Sequence, residues 1–550
     1  MYRRIMSKAD LFRDKLHIWD FILAVCTGLF LGMLKESSIS FDALGAIPLN
    51  SPSFWGKTLI YGVLFSIVTV LVFLFSPVVK KMMYLPDKWK GFAFLEKVDA
   101  KVLKVVFFIA FLVAWLPLFL AMYPGYLAYD GPVQLLQLWP ELKLNAAHPV
   151  VHTLFMGGCI SLGKALFHTN EAGLAVYSVV QAMILAYALA VLLVFLVKHK
   201  LPKLLVLLDF LLLAFHPLIQ LFVFTTTKDV IFGALFLLLF LRTVEIVIDT
   251  ETFFANKKAM AGYVLLTILM ALFRKQGIYC ICLMLPFALW LFRKHIVKAA
   301  VCFILPIVVV LLFFGPVSNA FGVIKDEPKE MLSVPIQQLA YVVNFGGNDI
   351  SKKDLDIIAA YIPTEVWGEY IPQISDPVKS AFSNELYEEN AGDFFAVWWK
   401  LAKEYPIQYV SAFGHLTEPY WYMGNHHHYF SLFAPFYCVE GSFVVQQHSV
   451  LPGYYDYLLR AGQNQLKGGW FTDILISIAT PVYFLFFCLV GVLKQKKWRF
   501  LVPMILLGGY VGSLFLGPVA CMRYAFPMLL FNPLCFGLLF LIYRMPNKMA

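Results

Sequence analysis

A long series of separate apolar runs, each near the length needed to cross a bilayer, most constrains this chain. A helix satisfies its own backbone hydrogen bonds in lipid, so runs such as 58–79, 105–122 and 230–248 predict membrane helices. Of the 550 residues, 60% are hydrophobic and only 14% are charged, the balance of a polytopic helical membrane protein. The expected fold is all-α, with about twelve transmembrane helices, an outer juxtamembrane helical loop and a mainly helical outer soluble domain.

The basic residues orient these helices. The net charge of +10 arises largely from short loops such as KHKLPK at 198–203, FRKHIVK at 292–298 and KQKKWR at 494–499. Positive loops stay in the cytoplasm, which predicts a multi-pass protein of the cell membrane with both termini cytoplasmic. No basic tail or nucleic-acid motif is present, so no nucleic-acid partner is expected. Near the N-terminus Leu23-Ala24-Val25-Cys26 imitates a lipoprotein cleavage box, but Val25 replaces the small residue required, and the first run reads as an uncleaved anchor. Most of the nine cysteines lie in apolar runs and predict no disulfide framework.

Three modules follow: residues 1–318 with an outer loop at 123–172, an extracytoplasmic domain at 319–470, and C-terminal helices at 471–550. The middle module holds 17 Asp plus Glu against 9 Lys plus Arg, an acidic balance in a basic chain. The segment 149–167 is apolar but carries Gly157, Gly158, Gly163 and Lys164. A re-entrant or surface course for it keeps KHKLPK cytoplasmic, whereas a spanning course would not.

The stretch 123–150 is too polar for lipid and holds Asp130 among Tyr123, Tyr126 and Tyr129. Asp130, Gln134, Gln137 and Glu141 are spaced to share one face of a short helix, opposite Val133, Leu135, Leu136, Leu138 and Trp139. Basic groups recur at outer span ends, in Thr227-Lys228-Asp229, Arg274-Lys275 and Arg523-Tyr524. A Lys or Arg deep in a span costs roughly 2.5 to 3.5 kcal/mol, so such groups snorkel or serve a site. Convergence at one face suits an anionic head group, with Lys228, Arg274, Lys275 and Arg523 at phosphate and Asp130 as proton acceptor.

Plainer readings stand beside these. Asp130 before Gly131-Pro132 equally suits a helix cap, Lys228 and Arg274 suit tight helical turns, Arg523 suits an interface anchor, and His148-Pro149 suits a helix start. His426-His427-His428 point in different directions and lack a partner with ligand spacing, so they predict no metal site.

In order along the chain, YPGYLAYDGPVQ with HPVVHTLF, TTTKD, LFRKQGIY, SVPIQQLAYV and PVACMRYAFP resemble the GT-C superfamily of membrane glycosyltransferases, in a multi-pass branch common in Gram-positive bacteria. The resemblance implies that Asp130 is the catalytic base. It also implies that the outer-end basic residues hold a polyprenyl-phosphate sugar donor and that transfer is inverting. Tyr129, Gln134, His148, Asp229 and Gln337 fall in the same motifs as supporting residues. Many relatives carry two adjacent acids in the first outer loop where this chain has Tyr129-Asp130; Glu141 or Asp229 is then the second acid, or none is needed, which leaves dependence on a divalent metal open.

The expected function is transfer of a sugar from that donor to a glycan or lipid acceptor at the outer face, in cell-envelope glycan or glycolipid modification. The alternative is a transporter or flippase for a lipid-linked or anionic substrate, which predicts mid-span charges and interrupted helices. A non-catalytic scaffold of envelope assembly would need no convergent basic groups.

Overall fold

The computed structural model describes residues 16–84, 95, 97–138, 143–346, 349–423, 445–463, 465, 474 and 476–544. The first nine helices are α1 (Ile18–Leu44), α2 (Pro52–Met83), α3 (Ala100–Met122), α4 (Gly131–Leu136), α5 (Val150–Phe167), α6 (Asn170–Lys198), α7 (Lys203–Phe215), α8 (Pro217–Val223) and α9 (Lys228–Ile248). Among the described residues nine helices are long and apolar enough to cross a membrane, or ten if α7 and α8, bent by 55°, form one span. The chain is a polytopic helical membrane protein. The expected figure of about twelve also counted shorter runs. Helix Gln276–Leu291 has 16 residues and Thr480–Lys494 has 15, so at about 1.5 Å per residue each is shorter than an apolar layer about 30 Å thick.

Contacts between helix ends sort into two sets. In one, Trp19 Nε1 donates to the Leu493 carbonyl (3.1 Å), Arg499 to Thr250 Oγ1 (2.6 Å), and both Tyr84 (3.3 Å) and Arg544 (2.6 Å) to the Lys200 carbonyl. In the other, Tyr422 bonds to Asp42, His448 N donates to the Tyr123 carbonyl (3.0 Å), Lys228 to Asp130 (2.8 Å) and Lys275 to Asp326 (2.6 Å). Helices α1 and α9 each have one end in each set.

Helix α5 is different. It starts two residues after His148, and at its far end Glu171, in the first turn of α6, accepts from Gln446 N (3.1 Å). That stretch continues into His448 and Val450, which donate to the Tyr123 and Leu120 carbonyls. Both ends of α5 therefore lie on the Asp130 side, although its length and apolarity alone suit a span.

Close packing has local causes. In α1 and α2 a Cβ on Gly28 would lie 2.1 Å from Ser66 Oγ, and one on Gly32 would lie 2.5 Å from Gly62 N, so these glycines let the two backbones touch. Apolar side chains of α6, α9 and Met522–Leu529 form the main core, including Leu189, Phe236 and Phe526. Ile336, Leu339, Ile358, Phe394 and Leu401 form a separate core among the helices of the acidic segment.

Candidate functional site

Two loops joined by backbone pairing create the site. Tyr126 N donates to the Phe224 carbonyl (2.8 Å), and Thr226 N returns the bond to the Tyr126 carbonyl (2.8 Å). Thr226 Oγ1 then accepts from Ala128 N (3.1 Å). The approach needs glycine at 125, where φ is +124° and a Cβ would lie 2.0 Å from Ser178 Oγ. This pairing sets the start of α4 beside the start of α9, and hence Asp130 beside Lys228.

Asp130 Oδ2 lies 2.8 Å from Lys228 Nζ, 3.0 Å from Arg523 Nη1 and 3.7 Å from His148 Nδ1. Burial pushes the Asp130 carboxyl up, but the adjacent Lys228, Arg523 and His148 outweigh it and hold the group well below the usual carboxylate range. Burial, then the Lys228 charge, pushes His148 down, so its ring is neutral at pH 7. Asp130 forms no side-chain cap on α4, although it occupies the N-cap position. Its side-chain contacts are therefore those of an ion cluster and not of a helix cap.

Arg523 is clamped. Its guanidinium lies 4.9 Å from the centre of the Tyr129 ring and 4.7 Å from that of Tyr524, whose hydroxyl it also reaches (2.9 Å). Tyr129 adopts a left-handed backbone (φ +55°) that costs about 1 to 2 kcal/mol for a side chain of this kind, and its ring stacks on Phe222. Burial pushes the Tyr129 hydroxyl well up, so it remains a neutral phenol.

The other basic residues have different partners. Arg274 forms a buried ion pair with Asp229, reaches the Tyr510 hydroxyl (3.1 Å) and stacks against Tyr524. It contacts the same ring that holds Arg523. Asp229 also accepts from Thr227 Oγ1 (2.8 Å), so both of its carboxylate oxygens have partners. Lys275 pairs with Asp326 in the acidic segment (2.6 Å). Gln337 donates to the Ile371 (2.6 Å) and Pro372 (3.2 Å) carbonyls, fixing a turn whose Ser375 N bonds to the Pro518 carbonyl (2.9 Å) just before Arg523.

Gln134 turns away from Asp130 into a buried chain of hydrogen bonds. Gln181 donates to the Val223 (3.0 Å) and Thr225 (2.7 Å) carbonyls, so its oxygen accepts from Tyr177 (2.7 Å). The Tyr177 hydroxyl also lies 2.8 Å from His152 Nε2, and His152 Nδ1 lies 3.1 Å from Gln134 Oε1, with the donor at each contact set by the imidazole tautomer. This chain locks α4, α5, α6 and the loop before Lys228 together. Sequence reasoning missed it, although Tyr177 and Gln181, four residues apart within an apolar helix, were a visible signal.

Helix α4 ends at Leu136, short of the expected face; Glu141, like His426 to His428 and Cys438, lies outside the described residues. Among the described residues no group of three or more His, Cys, Asp or Glu side chains is placed to hold a metal ion.

Fold and site together define a polytopic helical membrane protein with a half-buried carboxylate and two cations at one end of its bundle. The family of unknown function DUF6020 matches residues 136–545, and the chain belongs to it. The matched part carries His148, Lys228 and Arg523 and begins after Asp130. No curated protein and no solved structure matches the chain.

Proposed function

We propose that this protein is an integral-membrane, GT-C type glycosyltransferase that moves a sugar from a polyprenyl-phosphate donor to a glycan or lipid acceptor at the outer face of a Gram-positive cell membrane. The observation that carries the reading is the meeting of Asp130, Lys228 and Arg523, brought from three distant parts of the chain to one oxygen. In this reading the chain crosses twelve times, with the short helices included. Both termini are cytoplasmic, and the Asp130 end is outside.

The acceptor hydroxyl oxygen attacks the anomeric carbon as the bond from that carbon to phosphate breaks, and the electron pair leaves with the phosphate. The acceptor proton passes to the Asp130 carboxylate. Lys228 and Arg523 hold the phosphate before and after. The charges suit a monophosphate: a phosphodiester and Asp130 balance the two cations, and transfer moves one negative charge from Asp130 to the leaving phosphate without changing the sum. A diphosphate would leave an uncompensated charge in a buried site.

Purified protein given a polyprenyl-phosphate sugar and an envelope extract should release polyprenyl phosphate. Wild-type protein that releases none across several sugars and acceptors would argue against the assignment. Cysteines placed in 349–423 should react with an impermeant reagent only from outside the cell; labelling from the cytoplasmic side alone would reverse the topology.

The transporter or flippase reading has one feature in its favour, the 55° bend between α7 and α8 with Asp209 inside α7. Such a protein would move a labelled lipid-linked sugar across proteoliposomes without releasing its phosphate.

A further inference from the structure

We infer that Asp130 is the resident occupant of the anion site made by Lys228 and Arg523, and that an incoming lipid phosphate must displace it before it can accept a proton. The inference rests on the reading of these cations as phosphate ligands and adds an order of events: donor first, base second.

The two cations are fixed and the carboxylate covers them. Lys228 opens α9 immediately after the Thr227 cap, and its side chain is 13% exposed. Arg523, at 14%, is held between two aromatic rings. Asp130 is the most open of the three at 23%. It comes from the loop that opens a six-residue helix.

Its fit to the cations is incomplete. Both approach the same oxygen, Oδ2, and Arg523 Nη1, although only 3.0 Å away, is a buried donor without an aligned hydrogen bond. An Arg fork is satisfied by two parallel acceptors, which a phosphate presents and this single carboxylate oxygen does not. One negative charge also faces two positive ones, with His148 neutral beside them.

Displacement also changes the chemistry of the carboxylate. While bound to both cations Asp130 is held well below the usual range and is a weak base. A phosphate that engages Lys228 and Arg523 removes that restraint, and the freed carboxylate can take a proton from the acceptor. Without donor the base stays masked, which guards against attack by water or a stray hydroxyl.

Binding of farnesyl phosphate, and separately of inorganic phosphate, to the full-length protein in nanodiscs tests this without turnover. Asp130→Asn, with Asp130→Ser as a second variant should the first unfold, is expected to bind farnesyl phosphate at least tenfold tighter than wild type. Adding Arg523→Gln should remove the gain. A gain with inorganic phosphate as well makes phosphate alone the recognised group; a gain with farnesyl phosphate only makes the lipid necessary. Equal or weaker binding by folded Asp130 variants would overturn the inference. Tighter binding with no sugar transfer by wild type would keep the inference and remove the transferase reading, whereas transfer without tighter binding would do the reverse.

Discussion

Two acidic positions on the same side of the molecule, one half-buried and one buried, have opposite surroundings. Asp130 lies against Lys228 and Arg523 and is held well below the usual carboxylate range despite its burial. Glu418, 4% exposed near the C-terminal end of α1, is pushed up to about 7 by burial and by the nearby Asp42 charge. Around Glu418 the hydrogen bonds join segments: Tyr422 bonds to Asp42, and Met423 N donates to Ser38 (2.8 Å). Burial alone therefore does not mark a functional carboxylate. What separates the two is whether fixed cations are present to give an ionised group, and then an anionic ligand, a reason to be there.

The sharpest way to break this contrast is at Asp130 itself. Asp130→Asn should lower the rate of polyprenyl-phosphate release by about 1,000-fold or more, within the range of a general base, while Glu418→Gln stays within about twofold of wild type. Both are read in one release assay at saturating donor. Comparable losses in the two variants would put the carboxylates in one class.

Arg274 and Lys275 repeat the contrast among cations. Arg274→Met leaves Asp229 buried without its partner and should destabilise the protein by about 3 to 5 kcal/mol, seen as a lower thermal midpoint in detergent. Lys275→Met breaks a pair exposed by 27% and 31% and should cost about 1 kcal/mol or less. A normal midpoint for Arg274→Met together with a raised donor KM would return Arg274 to the phosphate role that its sequence motif suggests.

Arg523→Lys keeps the charge but loses the fork and the stacking on Tyr129 and Tyr524. Donor KM should rise by about tenfold with little change in midpoint, because a flexible ammonium replaces a clamped planar group. An unchanged KM would mean that only charge is used at this position.

Much of this architecture is legible in the sequence because lipid imposes a simple rule: apolar runs of sufficient length become helices, and polar groups at their ends stand out. That rule singles out Asp130, Lys228, Arg274 and Arg523. It is silent on pairing, since Arg274 and Asp229, 45 residues apart, meet only in the fold. It is silent too on Tyr524, whose ring both arginines contact. The chain from Gln134 through His152 and Tyr177 to Gln181 showed in the sequence only as the Tyr177 and Gln181 pair on one helix, and only packing joins that pair to His152 and Gln134. Glu418 carried no signal, as its neighbour Asp42 lies in a different helix far away in sequence.

The smallest expected effect depends most on pH. Glu418 has a folded value of about 7 against an ordinary 4.5, so between these values the folded protein holds a proton that the unfolded chain has released. Below pH 4.5 the group is protonated in both states and contributes no ionisation penalty; above pH 7 it is ionised in both, and its burial near Asp42 is fully unfavourable. Stability from this group therefore declines as pH rises from 4.5 to 7. Asp130 has the opposite sign, since its depressed value stabilises the fold above about 3.8 and that contribution is lost only at lower pH. Glu418→Gln should raise the thermal midpoint at pH 8 by an amount equivalent to about 1 kcal/mol, reduced by solvent screening, and leave it unchanged near pH 4.5. A midpoint difference that is the same at both pH values would show that Glu418 does not hold its proton. The two carboxylates would then differ only in their neighbours and not in their charge.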